Sequence, residues 1–246
     1  MYKRQVLDQF ISEASKYKWK KSSWLEELRS CKDKQESELE ELADDNVPMH
    51  AMSVHKRLRK LISPNACFVF DGGDFNHFAR SYYPALNPNK WVYLSTLGMI
   101  GTGVPVACAA KIAYPDDQVF LFTGDGSFGF NGMEYDTAVR HDLPFVGIMG
   151  NDGVWGIDYH IQMGLYQRPV ATELRQSRYD QIVQALGGHG ELVSHPDQLE
   201  SAVKRSLESG LPSLINVTTK PAISALAAAS ISVSYTHLTL PTSDLV

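Results

Sequence analysis

The chain has 246 residues, is 43% hydrophobic and 21% charged, and carries a formal net charge of −5. That length holds one α/β domain with a full core and some extra. The acidic balance, without a basic stripe interleaved with aromatics, argues against nucleic acid as a partner. No run approaches the ~18 apolar residues that span a bilayer, so no membrane partner is expected. No signal-peptide pattern is visible. Cys31, Cys67 and Cys108 fit no metal or disulfide spacing, which suits a reducing cytoplasm and cysteines that act as small apolar residues.

The two ends are best considered together. "MYKRQ" (1–5) reads as one strand of a transposon-end adapter, and "VSYTH" (233–237) as its reverse complement in another frame. Residues 1–5 and about 233–246 are therefore expected to be foreign, and the rest an internal piece of a longer protein. A parent gene carrying both termini in frame would overturn this. Residues 6–46 are charge-rich, and "SSWLEELRSCKDKQESELEELADD" reads either as a solvated helix with Glu–Lys and Glu–Arg pairs or as a linker. "NVP" (46–48) marks a boundary, so a domain is expected over 47–222, with a tail over 223–246.

From residue 50 the pattern alternates. "HAMSVHKRLRKLI" is an amphipathic helix, "ACFVFDGG" a strand, "DFNHFARSYY" a helix, and "MIGTGVPVACAAKIAY" a helix of small residues. "QVFLFTGDG" is the next strand, followed by a helix through "GMEYDTAVRH" and a strand in "LPFVGIMGNDG". "RYDQIVQALGG" and "PDQLESAVKRSLESG" are helices closed by glycine, and "SLINVTT" is the last strand. Apolar strands separated by helices predict a parallel sheet with helices on both faces.

In such sheets ligands sit at the carboxyl ends of the strands. Three strands here end in polar, glycine-rich turns: "DGGDFN" (71–76), "GDGS" (124–127) and "GNDG" (150–153). Asp125 offers a carboxylate, Asn151 an amide oxygen, and Gly153 a carbonyl that glycine can turn inward. Such an oxygen set suits a hard cation held beside phosphate. The N–H groups of Gly126 and Ser127 open a helix and can face an anion. Helix N-capping would explain Asp125 by itself, but not the matched turn at Asn151. "DGSFG" misses the nucleophile-elbow spacing by one residue. "GMIGTG" is not a dinucleotide fingerprint. The histidines have no metal-ligand spacing.

Gly124-Asp125-Gly126, twenty-four residues and then Asn151 resembles the motif of the thiamine diphosphate-dependent enzymes, and "STLGMIGTGVPVACAAK" resembles the stretch that precedes it there. The resemblance covers about 47–222 and implies the thiamine diphosphate-binding fold, with Mg²⁺ on Asp125, Asn151 and the Gly153 carbonyl. It places Gly124, Gly126 and Ser127 at the diphosphate, with Gly73, Asp74, Phe75 and Asn76 beside it. Gly98 would approach the aminopyrimidine through its backbone. Ile100 would be the apolar wedge that bends the cofactor, unless it is a core helix residue. Asp152 stands where a second asparagine is common, which changes the local charge. Val154, Trp155 and Ile157 would face substrate, with core packing equally open for Trp155.

The resemblance also implies the chemistry: carbon–carbon bonds made or broken next to a carbonyl, with the cofactor's ring storing the electrons. The activating glutamate of the family lies in a separate N-terminal domain, and no residue here matches it. The chain thus carries half an active site, with no catalytic residue of its own, and would be inactive alone. "DGGDFNHFARSYYP", "GSFGFNGMEYDTAVRHDLPFVGIMGNDGVWGI" and "RYDQIVQALGGHGELV" look most like acetolactate synthase large subunits, acting on 2-oxo acids. Of these, the "FGFNGME" and "RYDQIVQALGG" stretches are also similar to oxalyl-CoA decarboxylase and 2-hydroxyacyl-CoA lyase, which use acyl-CoA substrates. A non-catalytic paralogue and a nucleotide-binding module are the competing readings. FAD is left open, since its domain would lie upstream. A dimer or tetramer is the family expectation.

Overall fold

The structure is a computed structural model that describes residues 2–20, 22–93 and 98–229. The expected foreign tail at 233–246 and part of the "STLG" stretch lie outside these residues. The chain divides into two units, Met1–Glu38 and Leu39–Val246. The first holds helix α1 (Tyr2–Ala14) and most of α2 (Trp24–Glu41), and neither helix has a buried residue. The charged stretch is helical over Trp24–Glu41. Helix α1 also covers residues read as foreign sequence.

The second unit holds a sheet of six parallel strands among the described residues. They are β1 (Cys67–Phe70), β2 (Trp91–Tyr93), β3 (Val119–Gly124), β4 (Val146–Asn151), β5 (His189–Val193) and β6 (Ser213–Thr218). Their order is β2-β1-β3-β4-β6-β5. Helices α3 (Ala51–Leu58), α4 (Asp74–Tyr82) and α5 (Gly103–Ala113) precede or separate the first strands. Helices α6 (Asp125–Asn131), α7 (Tyr135–Arg140), α8 (Gly156–Tyr166), α9 (Tyr179–Ala185) and α10 (Leu199–Glu208) follow.

Side chains alternate along a strand, and both faces of this sheet are apolar. Phe68, Phe70, Phe120, Phe122, Ile148, Ile215 and Val217 pack with residues of α3, α4 and α10. Cys67, Val69, Val119, Leu121, Met149 and Leu214 pack with residues of α5, α7 and α9. Two-sided burial is why these strands read as continuous apolar runs.

The sequence reading missed β2 and β5. Both lie at sheet edges, where half-burial allows short or polar strands such as "WVY" and "HGELV". Helix α5 begins at Gly103, four residues after the expected start at Met99. Gly98 and Ile100 therefore stand on a loop. The backbone accounts for this, because Gly98 (φ +64°) and Gly101 (φ +84°) adopt the left-handed region that interrupts a right-handed helix.

Sheet order also positions a cleft. From β1 the chain runs outward to β2, then returns to β3 on the other side of β1. The crevice at the carboxyl ends of β1 and β3 is thus a topological switch point, where open parallel sheets bind ligands.

Candidate functional site

The three glycine-rich turns meet at that switch point. An open cleft of about 500 Å³ is lined by Gly72, Gly73, Asp74 and Phe75 after β1, by Gly124 to Ser127 after β3, and by Gly150, Asp152 and Val154 to Asp158 at β4 and α8. Ile100 lines it as well. The register Gly124↔Gly150 brings Asp125 and Asn151 to adjacent strand ends.

Asp125 is the first residue of α6, and Gly124 holds the cap position, so it is not an N-cap. Only 2% of its surface is exposed. Its Oδ1 accepts from the Gly126 N–H at 2.9 Å, and its Oδ2 accepts from the Gly153 N–H at 3.0 Å in the neighbouring turn. Burial pushes its carboxyl up to about 6, although both N–H groups pull the other way. Burial pushes Asp152 further, to about 7, with the charges of Asp125 and Asp74 adding to it. Asp74 is also buried; its Oδ1 accepts from the Ser224 N–H at 2.8 Å, while Oδ2 has no hydrogen-bond partner. Two buried carboxyls, Asp74 and Asp125, and the half-buried Asp152 thus face one cleft whose lining residues include no Lys, Arg or His. Removing charge from water without a partner is costly, so the site as built favours a cation.

Asn151 adds the matching donor atom. Its Nδ2 donates to Ser177 O and Asn216 Oδ1, both at 3.0 Å, and its Oδ1 is buried with no partner. An unpartnered buried acceptor costs about 1–3 kcal/mol, which a hard cation would offset. Gly153 (φ +74°) needs glycine's conformational freedom, and its carbonyl accepts from the Leu174 N–H at 2.7 Å, leaving its second lone pair for a cation. No group of three His, Cys, Asp or Glu side chains gathers as a metal centre among the described residues. A carboxylate with amide and carbonyl oxygens is instead the donor set that suits Mg²⁺ beside phosphate.

The remaining expected residues divide. Val154, Trp155 and Ile157 line the cleft, and the Trp155 ring lies so close that a Cβ on Gly126 would sit 2.7 Å from it. Ile100 packs on Gly72, where a Cβ would lie 2.2 Å from Ile100 Cγ2. Its loop is stapled by Asp71, whose carboxylate accepts from the N–H groups of Gly72 (2.7 Å), Gly101 (2.9 Å) and Gly103 (3.0 Å). Asn76 is fully buried on α4 and, like Gly98, Asn151 and Gly153, is not among the residues that line the cleft. The Gly126 N–H is occupied by Asp125.

Asp71, Gly150 and Asn216 were not singled out in the sequence. Gly150 carries a measurable consequence: a Cβ there would lie 2.3 Å from Phe75 Cδ2 and 2.4 Å from its Cγ. Gly150→Ala is expected to cost about 1–3 kcal/mol by overpacking a rigid ring. A lowered urea midpoint at unchanged slope would record it.

Residues 71–217 match the family model of the thiamine pyrophosphate enzyme, C-terminal TPP binding domain. The chain belongs to this family. Over 202 residues the chain is 44% identical to the acetolactate synthase large subunit IlvG of Mycobacterium tuberculosis, an alignment covering 81% of this chain and 37% of that protein. It is 33% identical over 175 residues to 2-hydroxyacyl-CoA lyase 2 of Caenorhabditis elegans, covering 70% of this chain and 27% of that protein. The chain thus spans about a third of the length of these relatives. Among solved structures, the Rhodococcus jostii RHA1 thiamine diphosphate-dependent 4-hydroxybenzoylformate decarboxylase has the same fold. There the TM-score is 0.66 at 22% identity, over 72% of this chain and 33% of that one. Of these two relatives the acetolactate synthase is the more similar in sequence. No helix among the described residues is long and apolar enough to cross a membrane.

Proposed function

We propose that this chain is the diphosphate- and Mg²⁺-binding part of a longer enzyme that makes or breaks a carbon–carbon bond next to a carbonyl, in the manner of an acetolactate synthase. The observation that carries the reading is the buried, unpartnered Asn151 Oδ1 at the strand end adjacent to that of Asp125. Asp125, Asn151 and the free lone pair of the Gly153 carbonyl would hold Mg²⁺. The Ser127 N–H, with the backbone of Gly72, Gly73, Gly124 and Gly126, would border the diphosphate, since no side chain at those glycines blocks its approach. When bound, thiamine diphosphate supplies a thiazolium ring that stabilises negative charge on a substrate carbonyl carbon. Ile100, held by the Asp71 staple, would support the cofactor's bend, and Trp155 and Ile157 would give substrate an apolar wall.

No residue of this chain is proposed to move the activating proton, so the chain alone is expected to bind cofactor without turnover. The complete enzyme would act on small-molecule substrates as a dimer or tetramer, in the reducing cytoplasm that three free cysteines suit. The 2-hydroxyacyl-CoA lyase reading keeps a specific support in relatives 30–33% identical over 70–79% of this chain. The test is an assay of the full-length enzyme with Mg²⁺ and thiamine diphosphate on pyruvate and on a 2-hydroxyacyl-CoA. Acetolactate formation supports the first reading, cleavage of the thioester the second. Turnover of neither by cofactor-loaded enzyme would contradict both.

A further inference from the structure

The orientation of Asn151 is not left to Asn151. An amide can turn over with almost no change of shape, exchanging oxygen and nitrogen. Here both partners of Nδ2 are acceptors, the Ser177 carbonyl and Asn216 Oδ1, each at 3.0 Å. A turned Asn151 would set oxygen against oxygen.

Asn216 is an amide too, fully buried on β6, and could turn in the same way. Its own Nδ2 donates to Ser177 O and to Asp180 Oδ1, both at 3.0 Å. Asp180 is 1% exposed and receives Arg178 through Nε, at 3.0 and 3.1 Å to its two oxygens, and through an Nη at 2.6 Å. A carboxylate paired this way accepts hydrogen bonds and donates none. Polarity therefore runs one way, from the Arg178–Asp180 pair through Asn216 to Asn151, and leaves the Asn151 oxygen as the free end.

We infer that Asn216, locked by Asp180 and Arg178, is a positioning residue that fixes the Asn151 oxygen as a metal ligand. This rests on the proposed Mg²⁺ role of Asn151. Asn216 is not among the residues that line the cleft and acts through Asn151. Asn216→Leu removes one of the two acceptors that hold Asn151 Nδ2 and leaves the Ser177 carbonyl. Asp180→Asn keeps the shape but can donate or accept, so the anchor that orients Asn216 is lost and only the Ser177 carbonyl still holds both amides in the native orientation.

The test is calorimetric titration of Mg²⁺ into the whole chain at fixed thiamine diphosphate, at a temperature where circular dichroism shows each protein folded. Mg²⁺ affinity is expected to fall about 10-fold or more in Asn216→Leu and by a smaller factor in Asp180→Asn, the range typical of lost outer-sphere support. A merely structural role would lower the melting temperature and leave the affinity of the folded protein unchanged. Wild type that binds Mg²⁺ beside variants within twofold of it would overturn the positioning role alone. Wild type that binds no Mg²⁺ would overturn the proposed function, and this inference with it. If Asn216→Leu does not fold, the isosteric Asp180→Asn decides.

Discussion

Asp125→Asn is expected to weaken magnesium-dependent binding of thiamine diphosphate by more than about 100-fold, beyond the ~10–100-fold that loss of an outer partner costs, while the chain stays folded. Asp125 is the only carboxylate in the expected donor set, so its replacement removes the charge that a hard cation needs. The fold depends on it far less. Its two backbone hydrogen bonds, from Gly126 and Gly153, are offset by burial and by repulsion from Asp152. An asparagine keeps one of those acceptors and relieves the repulsion. Apo stability should therefore change by no more than about 1–2 kcal/mol, the scale of one hydrogen bond. Equilibrium dialysis of thiamine diphosphate with and without Mg²⁺, beside a urea denaturation curve, reads both parts. A variant that unfolds would assign Asp125 to structure. One that binds like wild type would remove it from the metal site.

The second large effect is on pH. Asp125 is pushed up to about 6 and Asp152 to about 7, above the ~3.9 of a free aspartate. Without metal, the folded chain binds more protons than the unfolded one between roughly pH 4 and 7. This contribution to stability is therefore present at low pH and lost as pH rises through the folded values. Mg²⁺ inverts the trend, because it replaces those protons. At pH 5 a carboxyl titrating near 6 is only about one-tenth ionised, so Mg²⁺ affinity should fall about tenfold or more from pH 7 to pH 5. The two carboxyls share one cleft and should titrate as a pair rather than singly. Thermal melts at pH 5 and 7.5, with Mg²⁺ and with a chelator, check this. The melting temperature gained from Mg²⁺ should be clearly larger at 7.5, and an equal gain at both would sink the argument.

Much of the site could be read from residues because the strands announce their ends. Apolar runs stopping at "DGG", "GDG" and "GNDG" put three polar turns at the carboxyl edge of one sheet, and the structure brings those turns together. Asp125 and Asn151 stood out as polar residues where a buried strand should continue. The edge strands β2 and β5 were illegible for the opposite reason, since half-exposure removes the apolar run that signals a strand. The start of α5 was misread because small residues favour a helix pattern that two left-handed glycines then interrupt. Asp71, Asp180 and Asn216 were invisible. Each has a deciding partner about thirty or more residues away, Gly101 and Gly103 for Asp71, and Asp180 and Asn216 for each other, although Asp71 also holds the adjacent Gly72 and Asp180 the nearby Arg178. Nothing local marks a polar residue that hydrogen-bonds across a sheet. The buried Asp74 was placed at the site by resemblance, but its bond to Ser224, 150 residues on, could only come from the fold.

The most direct test is calorimetric titration of thiamine diphosphate into the 246-residue chain, with Mg²⁺ and with a chelator, after circular dichroism has shown it folded. Saturable binding at one site per chain that vanishes with the chelator is the expected result, and would show that the residues at these three strand ends hold the diphosphate through the metal. Binding indifferent to Mg²⁺, or no binding by the folded chain, would contradict it.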